Sequence, residues 1–158
     1  ALTGGKGGGR PDSAMAGIGD KNKIDEAINA FDGIVAQFVK YGRTKMEDCL
    51  FCKIINGDIP SKKVYEDDMC YAFYDIAPAA PIHFLVIPKE HIASAAEITH
   101  DNSAVVAHIF EIIAQLSKEM GMKDGFRVVS NCGDCAGQTV HHLHFHVLSG
   151  RDFTWPAG

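Results

Sequence analysis

No apolar run in this chain approaches the ~20 residues needed to cross a bilayer, and no charged, apolar and cleavable start resembles a signal peptide. Both absences lead to the expectation of a soluble, cytoplasmic protein with no membrane partner. Positive charge is also scarce: 15 Lys and Arg stand against 20 Asp and Glu, a formal net charge of -5, with no block of like charges. A nucleic-acid polymer would find no basic field to hold it, although local dipoles could still hold a small anion. Cysteine is too sparse and too odd in number, at five, for a disulfide framework; reduced thiols or metal ligands are the alternatives. No internal repeat is visible. At 158 residues the chain has room for one ordinary domain and an extension, but not for two large domains.

The extension is read first. Residues 1–20 are Gly-rich and almost devoid of large apolar side chains, so they cannot repay the entropy of ordering and suggest a flexible leader or cloning remnant. Residues 21–44 change character. Ile24, Ile28, Phe31, Val35 and Phe38 recur at three- and four-residue steps, the pattern of an extra N-terminal amphipathic helix, which Gly33 weakens. Its stripe has to bury against the domain, a partner chain or its own copy.

Residues 45–158 carry the domain. A short helix is predicted from Glu47 to Asn56, stopped by Gly57 and Pro60. Strands are predicted from Lys63 to Tyr74, with a turn at Glu66-Asp67-Asp68, and from His83 to Pro88. The most regular helix follows, with Asp101, Asn102 or Ser103 as cap, a stripe of Val105, Val106, Ile109, Ile112, Ile113 and Leu116, and Gly121 at its end. Phe126 to Ser130 is a further strand. Strands in succession joined by short turns imply an α+β fold, an antiparallel sheet with helices packed on one face.

The chemistry concentrates in Gln138-Thr139-Val140-His141-His142-Leu143-His144-Phe145-His146-Val147-Leu148. Read as a strand, this stretch puts His142, His144 and His146 on one side and Leu143, Phe145 and Val147 on the other. A helical period would smear both sets around the axis. Three imidazoles on one face can supply a nucleophile, a proton shuttle or metal ligands. A solvated histidine tract is the bland alternative, but such a tract does not interleave with large apolar residues.

His142-Leu143-His144-Phe145-His146-Val147-Leu148 resembles the signature of the histidine triad (HIT) proteins, and the tail from Gly150 to Gly158, with Trp155-Pro156, resembles the ending of their Hint branch, the histidine triad nucleotide-binding proteins. The likeness runs from about Glu47 to the last residue. It implies that His144 attacks an α-phosphate to form a nucleotidyl-histidine, that His146 contacts the phosphate, and that Thr139, where relatives usually have Ser, touches the leaving group. The loop Gly137-Gln138-Thr139 is expected to aim backbone N–H groups at an anion. His83 matches the family's upstream histidine, although one histidine in an apolar strand is more often a satisfied core residue. Asp75 resembles the acidic residue that accepts both ribose hydroxyls, a task suited to a carboxylate's two acceptors; capping a turn beside Pro78 is its other reading. Phe51, Ile54, Phe73, Tyr74 and Ile76 would form the purine pocket, with Asn131 closing it.

Cys49-Leu50-Phe51-Cys52 has zinc-ligand spacing. The resemblance pairs it with His91 and His142, an implied structural zinc that catalysis would not require. Cys132 and Cys135 could form a rival site with the first pair, but two free thiols are the simpler reading; Cys70 reads as buried. Three functions compete. One is a nucleoside phosphoramidase acting on AMP or GMP linked to an amine. The second is a dinucleoside polyphosphate hydrolase or nucleotidyltransferase of the same family. The third is a nucleotide-binding interaction module whose partner surface is the N-terminal helix. The tail further implies a homodimer.

Overall fold

A computed structural model describes residues 48–156 in full and, before them, the backbone of 7–10 and 13–16. The helix expected within 21–44 lies outside the described residues. The chain divides between Lys45 and Met46 into two units. In the first, Gly7–Arg10 (β1) pairs antiparallel with Ser13–Ala16 (β2). Composition did not announce this ladder, because pairing through backbone groups needs no side chains.

The second unit is built on a five-stranded antiparallel sheet. Its strands are Lys63–Glu66 (β3), Cys70–Tyr74 (β4), Ile82–Pro88 (β5), Phe126–Val129 (β6) and Phe145–Ser149 (β7), in spatial order β3-β4-β5-β7-β6. The central strand β5 is apolar almost throughout and buried on both faces, so each face of the sheet needs a cover. Ala104–Glu119 (α2) supplies one. Its Val105, Ile109, Ile112, Ile113 and Leu116 pack with Cys70, Ala72, Phe84, Val86, Leu143, Phe145 and Val147. Leu50–Ile55 (α1) lies on the opposite face, with Phe51 and Ile54 against Tyr71, Phe73, Leu85 and Ile87. The antiparallel sheet with a helix on it is thus as expected, but the two helices divide between the faces. Odd and even residues of β4 and β5 each supply a full apolar set, so neither face can be left bare.

Local signals set the ends of the elements. Gly57 at φ 83° and Gly121 at φ 69° follow α1 and α2 in the left-handed conformation that favours glycine. Ser103 holds the N-cap position of α2 without a capping bond; its hydroxyl donates to the His100 carbonyl, and Asn102 accepts from the Thr99 N–H. His108 on α2 lies 2.6 Å from Asp67 Oδ2 and ties the helix to the β3–β4 turn. Among the described residues no helix is long and apolar enough to cross a membrane.

Candidate functional site

The histidine strand begins later than the sequence suggests. Regular pairing starts at Phe145, and residues 138–144 run irregularly into it. The alternation survives nonetheless, because the backbone stays pinned: the Leu143 N–H donates to the Ile92 carbonyl at 2.6 Å. Leu143, Phe145 and Val147 enter the α2 core, while His142 and His144 meet Phe51 of α1 and His146 meets His83 of β5.

His142 is fully buried. Its Nε2 lies 2.9 Å from the Pro88 carbonyl, which can only accept, so Nε2 carries the proton and Nδ1 a lone pair. Burial, with repulsion from His91 and His144, lowers its pKa to about 4 against the opposing Pro88 hydrogen bond. That lone pair faces Cys49 Sγ at 3.5 Å, Cys52 Sγ at 3.6 Å and His91 Nδ1 at 3.3 Å, and Cys52 Sγ lies 3.3 Å from His91 Nδ1. All four donor atoms lie within 4.8 Å of one another. A zinc tetrahedron with bonds of roughly 2.0–2.1 Å to nitrogen and 2.3 Å to sulfur has edges of about 3.3 Å between nitrogens and about 3.5 Å between nitrogen and sulfur. The donor set therefore fits zinc in chemistry and in spacing. Burial and the neighbouring Cys49 push the Cys52 thiol up to about 12, a cost that a cation between the sulfurs would remove.

His144 has only 4% of its surface exposed. Its Nδ1 lies 2.7 Å from the His142 carbonyl, so the proton sits on Nδ1 and the lone pair on Nε2. The Phe51 ring meets it edge-on at 5.4 Å and the His146 ring at 5.1 Å. The next tautomers follow in sequence. The Ala79 N–H donates to His83 Nδ1 at 3.1 Å, which leaves the His83 proton on Nε2. That Nε2–H donates to His146 Nδ1 at 2.9 Å, which leaves the His146 proton on its own Nε2. Burial, His144 and His83 lower the His146 pKa to about 4, with Asp75 opposing. A bare nitrogen on His144 thus stands beside a proton-bearing ring on His146, in a site that reaches solvent at His146 (22% exposed) and Asp75 (15%).

Asp75 takes the turn-capping role, and its second oxygen turns toward the histidines. Oδ1 accepts from the Ala77 N–H at 2.8 Å in a turn, and Oδ2 lies 3.4 Å from His83 Nε2 and 3.7 Å from His146 Nδ1. A carboxylate has about four acceptor sites, so capacity for a diol remains. Phe51, Ile54 and Phe73 share the triad face. Tyr74 does not: it packs with the α2 core, with Lys62 Nζ 4.6 Å from its ring centroid. Adjacent strand residues point to opposite faces, so Phe73 and Tyr74 cannot line one pocket, and alternation alone could have shown it. Ile76 is fully exposed.

The loop before the triad also departs from expectation. The Gly137 N–H donates to the Asp134 carbonyl and the Gln138 N–H to the Gly133 carbonyl, so neither is aimed at an anion. The buried Gln138 side chain is a brace, accepting from the Gly133 N–H and donating to the Ala93 and Val140 carbonyls. The loop spends its own donors on closing a 3-10 turn at Asp134–Ala136. Thr139 stays exposed, and Asn131 lies beside Gly137, 3.8 Å from where a Cβ would stand. Cys132 and Cys135 are exposed free thiols, and Cys70 is buried. Sequence reasoning missed Ala79, Pro88 and Ile92, whose backbone groups orient the histidines; no side-chain signal marks such residues.

A family model for the HIT domain matches residues 56–153. An uncharacterised HIT-like protein of Synechococcus elongatus is 47% identical over 112 residues, spanning 71% of this chain and 98% of that protein. The crystal structure of a HIT family hydrolase from Legionella pneumophila superposes with a TM-score of 0.69 at 45% identity, covering 70% of this chain and 100% of its own. That of a histidine triad nucleotide-binding protein from Candida albicans gives a TM-score of 0.60 at 36% identity, covering 70% and 85%. With the family model spanning well over half of its length and these relatives matched nearly end to end, the chain belongs to the HIT domain family.

Proposed function

We propose that this protein is a nucleoside phosphoramidase of the Hint branch, cleaving the P–N bond of purine nucleoside 5′-phosphoramidates. The observation that carries the reading is the tautomer of His144: the hydrogen bond of Nδ1 to the His142 carbonyl puts the lone pair of the neutral ring on Nε2, the atom a nucleophile needs bare. Nε2 forms a bond to the α-phosphorus as the P–N bond breaks, and the leaving nitrogen takes a proton from solvent and departs as the amine. Water then attacks phosphorus, the bond to Nε2 breaks, and one proton of that water returns to solvent, releasing the nucleoside monophosphate and restoring the histidine. The Nε2–H of His146 is the donor for a phosphoryl oxygen, a charge that grows in the transition state. Because so little of His144 meets solvent, the phosphorus has to enter along the edge of His146, next to Asp75, which would take the ribose hydroxyls. The apolar side chains of Phe51, Ile54 and Phe73 are suited to a purine.

Zinc on Cys49, Cys52, His91 and His142 would be structural, since protein atoms fill all four positions; bound there, it supplies a cross-link between α1 and the sheet. Support for the branch comes from the Trp155-Pro156 tail.

The test is hydrolysis of adenosine 5′-phosphoramidate by His144→Ala. Turnover should fall at least ~1,000-fold while AMP, measured by calorimetry, still binds within a few-fold of the parent. Hydrolysis at the parental rate would overturn the mechanism. Parallel assay on diadenosine polyphosphate separates this reading from its nearest rival, which predicts the opposite preference.

A further inference from the structure

We propose that Arg151, in the segment after β7, is a positioning residue for the His83–His146 pair, acting through the backbone of Ala79. The inference rests on the phosphoramidase reading for its catalytic consequence, but not for its geometry. Arg151 Nε donates to the Ala79 carbonyl at 3.1 Å, and the N–H of the same residue donates to His83 Nδ1 at 3.1 Å. Both peptide groups flanking the Ala79 Cα are thereby held, one by the tail and one by the imidazole.

The guanidinium is itself fixed. Its carbon lies 4.4 Å from the Phe153 ring centroid, and Nη1 donates to the Asp152 carbonyl at 2.9 Å. Arg127 of β6 covers the same ring at 4.8 Å and donates to the Thr154 carbonyl at 2.7 Å, tying the tail to the sheet. The loop is gripped a second time at Gly150, where φ is 89° and an added Cβ would stand 3.0 Å from Pro81 Cβ. Within residues 75–81, the Asp75 end is held by its own N–H on the His83 carbonyl, whereas Ala79 and Pro81 are met by the segment that begins at Gly150.

The consequence is a proton address. With the Ala79 N–H in place, His83 has no choice of tautomer: its proton sits on Nε2 and is donated to His146 Nδ1. If the N–H drifts away, His83 can protonate Nδ1 and turn a lone pair toward His146. His146 then has to donate from Nδ1, and its Nε2, which should serve the phosphoryl oxygen, loses its hydrogen. Arg does this better than Lys would, because its planar fork reaches two carbonyls and stacks on Phe153 at once.

The experiment reads ring-nitrogen chemical shifts of His83 and His146 in the full chain labelled with 15N-histidine, together with kcat and KM for adenosine 5′-phosphoramidate. The parent should show lone-pair Nδ1 and protonated Nε2 on both rings. Arg151→Ala should mix the two tautomers and lower kcat by roughly tenfold with KM changed less than about twofold. Arg151→Lys should fall between, and it serves as the reading if the alanine variant does not fold. Unchanged ring-nitrogen shifts, or an unchanged kcat, would overturn the proposal. If the parent itself does not turn over phosphoramidate, the functional reading fails and the ring-nitrogen shifts decide the positioning role by themselves.

Discussion

A histidine that folds into a neutral state makes a protein sensitive to acid, and His146 is of that kind. Burial first, then repulsion from His144 and His83, lowers its pKa to about 4 while Asp75 pulls the other way; in the unfolded chain it titrates near ~6.5. Between those values the unfolded state binds the additional proton, so stability is full above the upper one and declines as pH falls toward the lower. The whole loss amounts to about 3 kcal/mol at most for this residue. Urea midpoints should be level from pH 8 to 7 and drop steadily from 6.5 to 4.5, and His146→Gln should flatten part of that slope. A midpoint that rises on acidification would contradict the sign. The charge state also bears on the reaction, since a neutral His146 with its proton on Nε2 donates to an anion without drawing a proton from bulk solvent.

At the scale of elements, α1 raises the question of what holds six residues in a helix, given that isolated helices of that length are unstable in water. Phe51 and Ile54 bury one side, and the loop position Cys49 and the first-turn Cys52 bring two sulfurs to His91 and His142. Protein purified without chelator should therefore hold about one zinc per chain. Cys49→Ser should lose it, and strong chelation should lower Tm by several degrees, roughly the effect of 1–2 kcal/mol in a domain of this size. Metal-free protein with an unaltered Tm would end the assignment. The same elements show what could be read in advance. Alternation of large apolar residues with histidines separated the two faces even though regular pairing begins only at Phe145, because the Leu143 N–H is held by the Ile92 carbonyl just before the chain enters β7. The Cys49-x-x-Cys52 spacing marked a pair of ligands, the family resemblance matched that pair with His91 and His142, and the geometry brings the four together. Where the reading failed, the deciding contacts were long-range or backbone-borne. Gly137 and Gln138 spend their N–H groups on a turn whose closure no local pattern specifies. The resemblance put Phe73 and Tyr74 in one purine wall, whereas side-chain alternation along β4 sends Tyr74 to the α2 core.

At the scale of the whole molecule, the five-stranded sheet has two edges that the described residues protect unequally. At β3 the exposed strand carries the Lys63–Glu66 pair, and Glu66 also pairs with Lys89, so charge guards that edge against addition of another strand. At β6, Phe126-Arg127-Val128-Val129 offers one charge, and that one is engaged with the tail through Thr154 and Phe153. Phe126 is exposed on this strand, and Trp155 has 86% of its surface in solvent. Large apolar side chains at an edge and at the end of an ordered tail are what an interface covers. A second copy of the chain, docked over β6 and the tail, is the occupant that the Hint-like ending suggests. Sedimentation at micromolar concentration should give twice 17.1 kDa, and Phe126→Asp should shift the protein to the monomer by placing a charge where apolar contact is needed. Trp155→Ala should separate two uses of that ring. If Trp155 only buries area, dimer affinity falls and kcat per chain holds in the residual dimer. If it also lines the partner's leaving-group pocket, KM for phosphoramidates with bulky amines rises while that for the unsubstituted amide does not. A parent protein that sediments as a monomer at tens of micromolar would remove the interface, and with it any role for one chain's tail in the other's site.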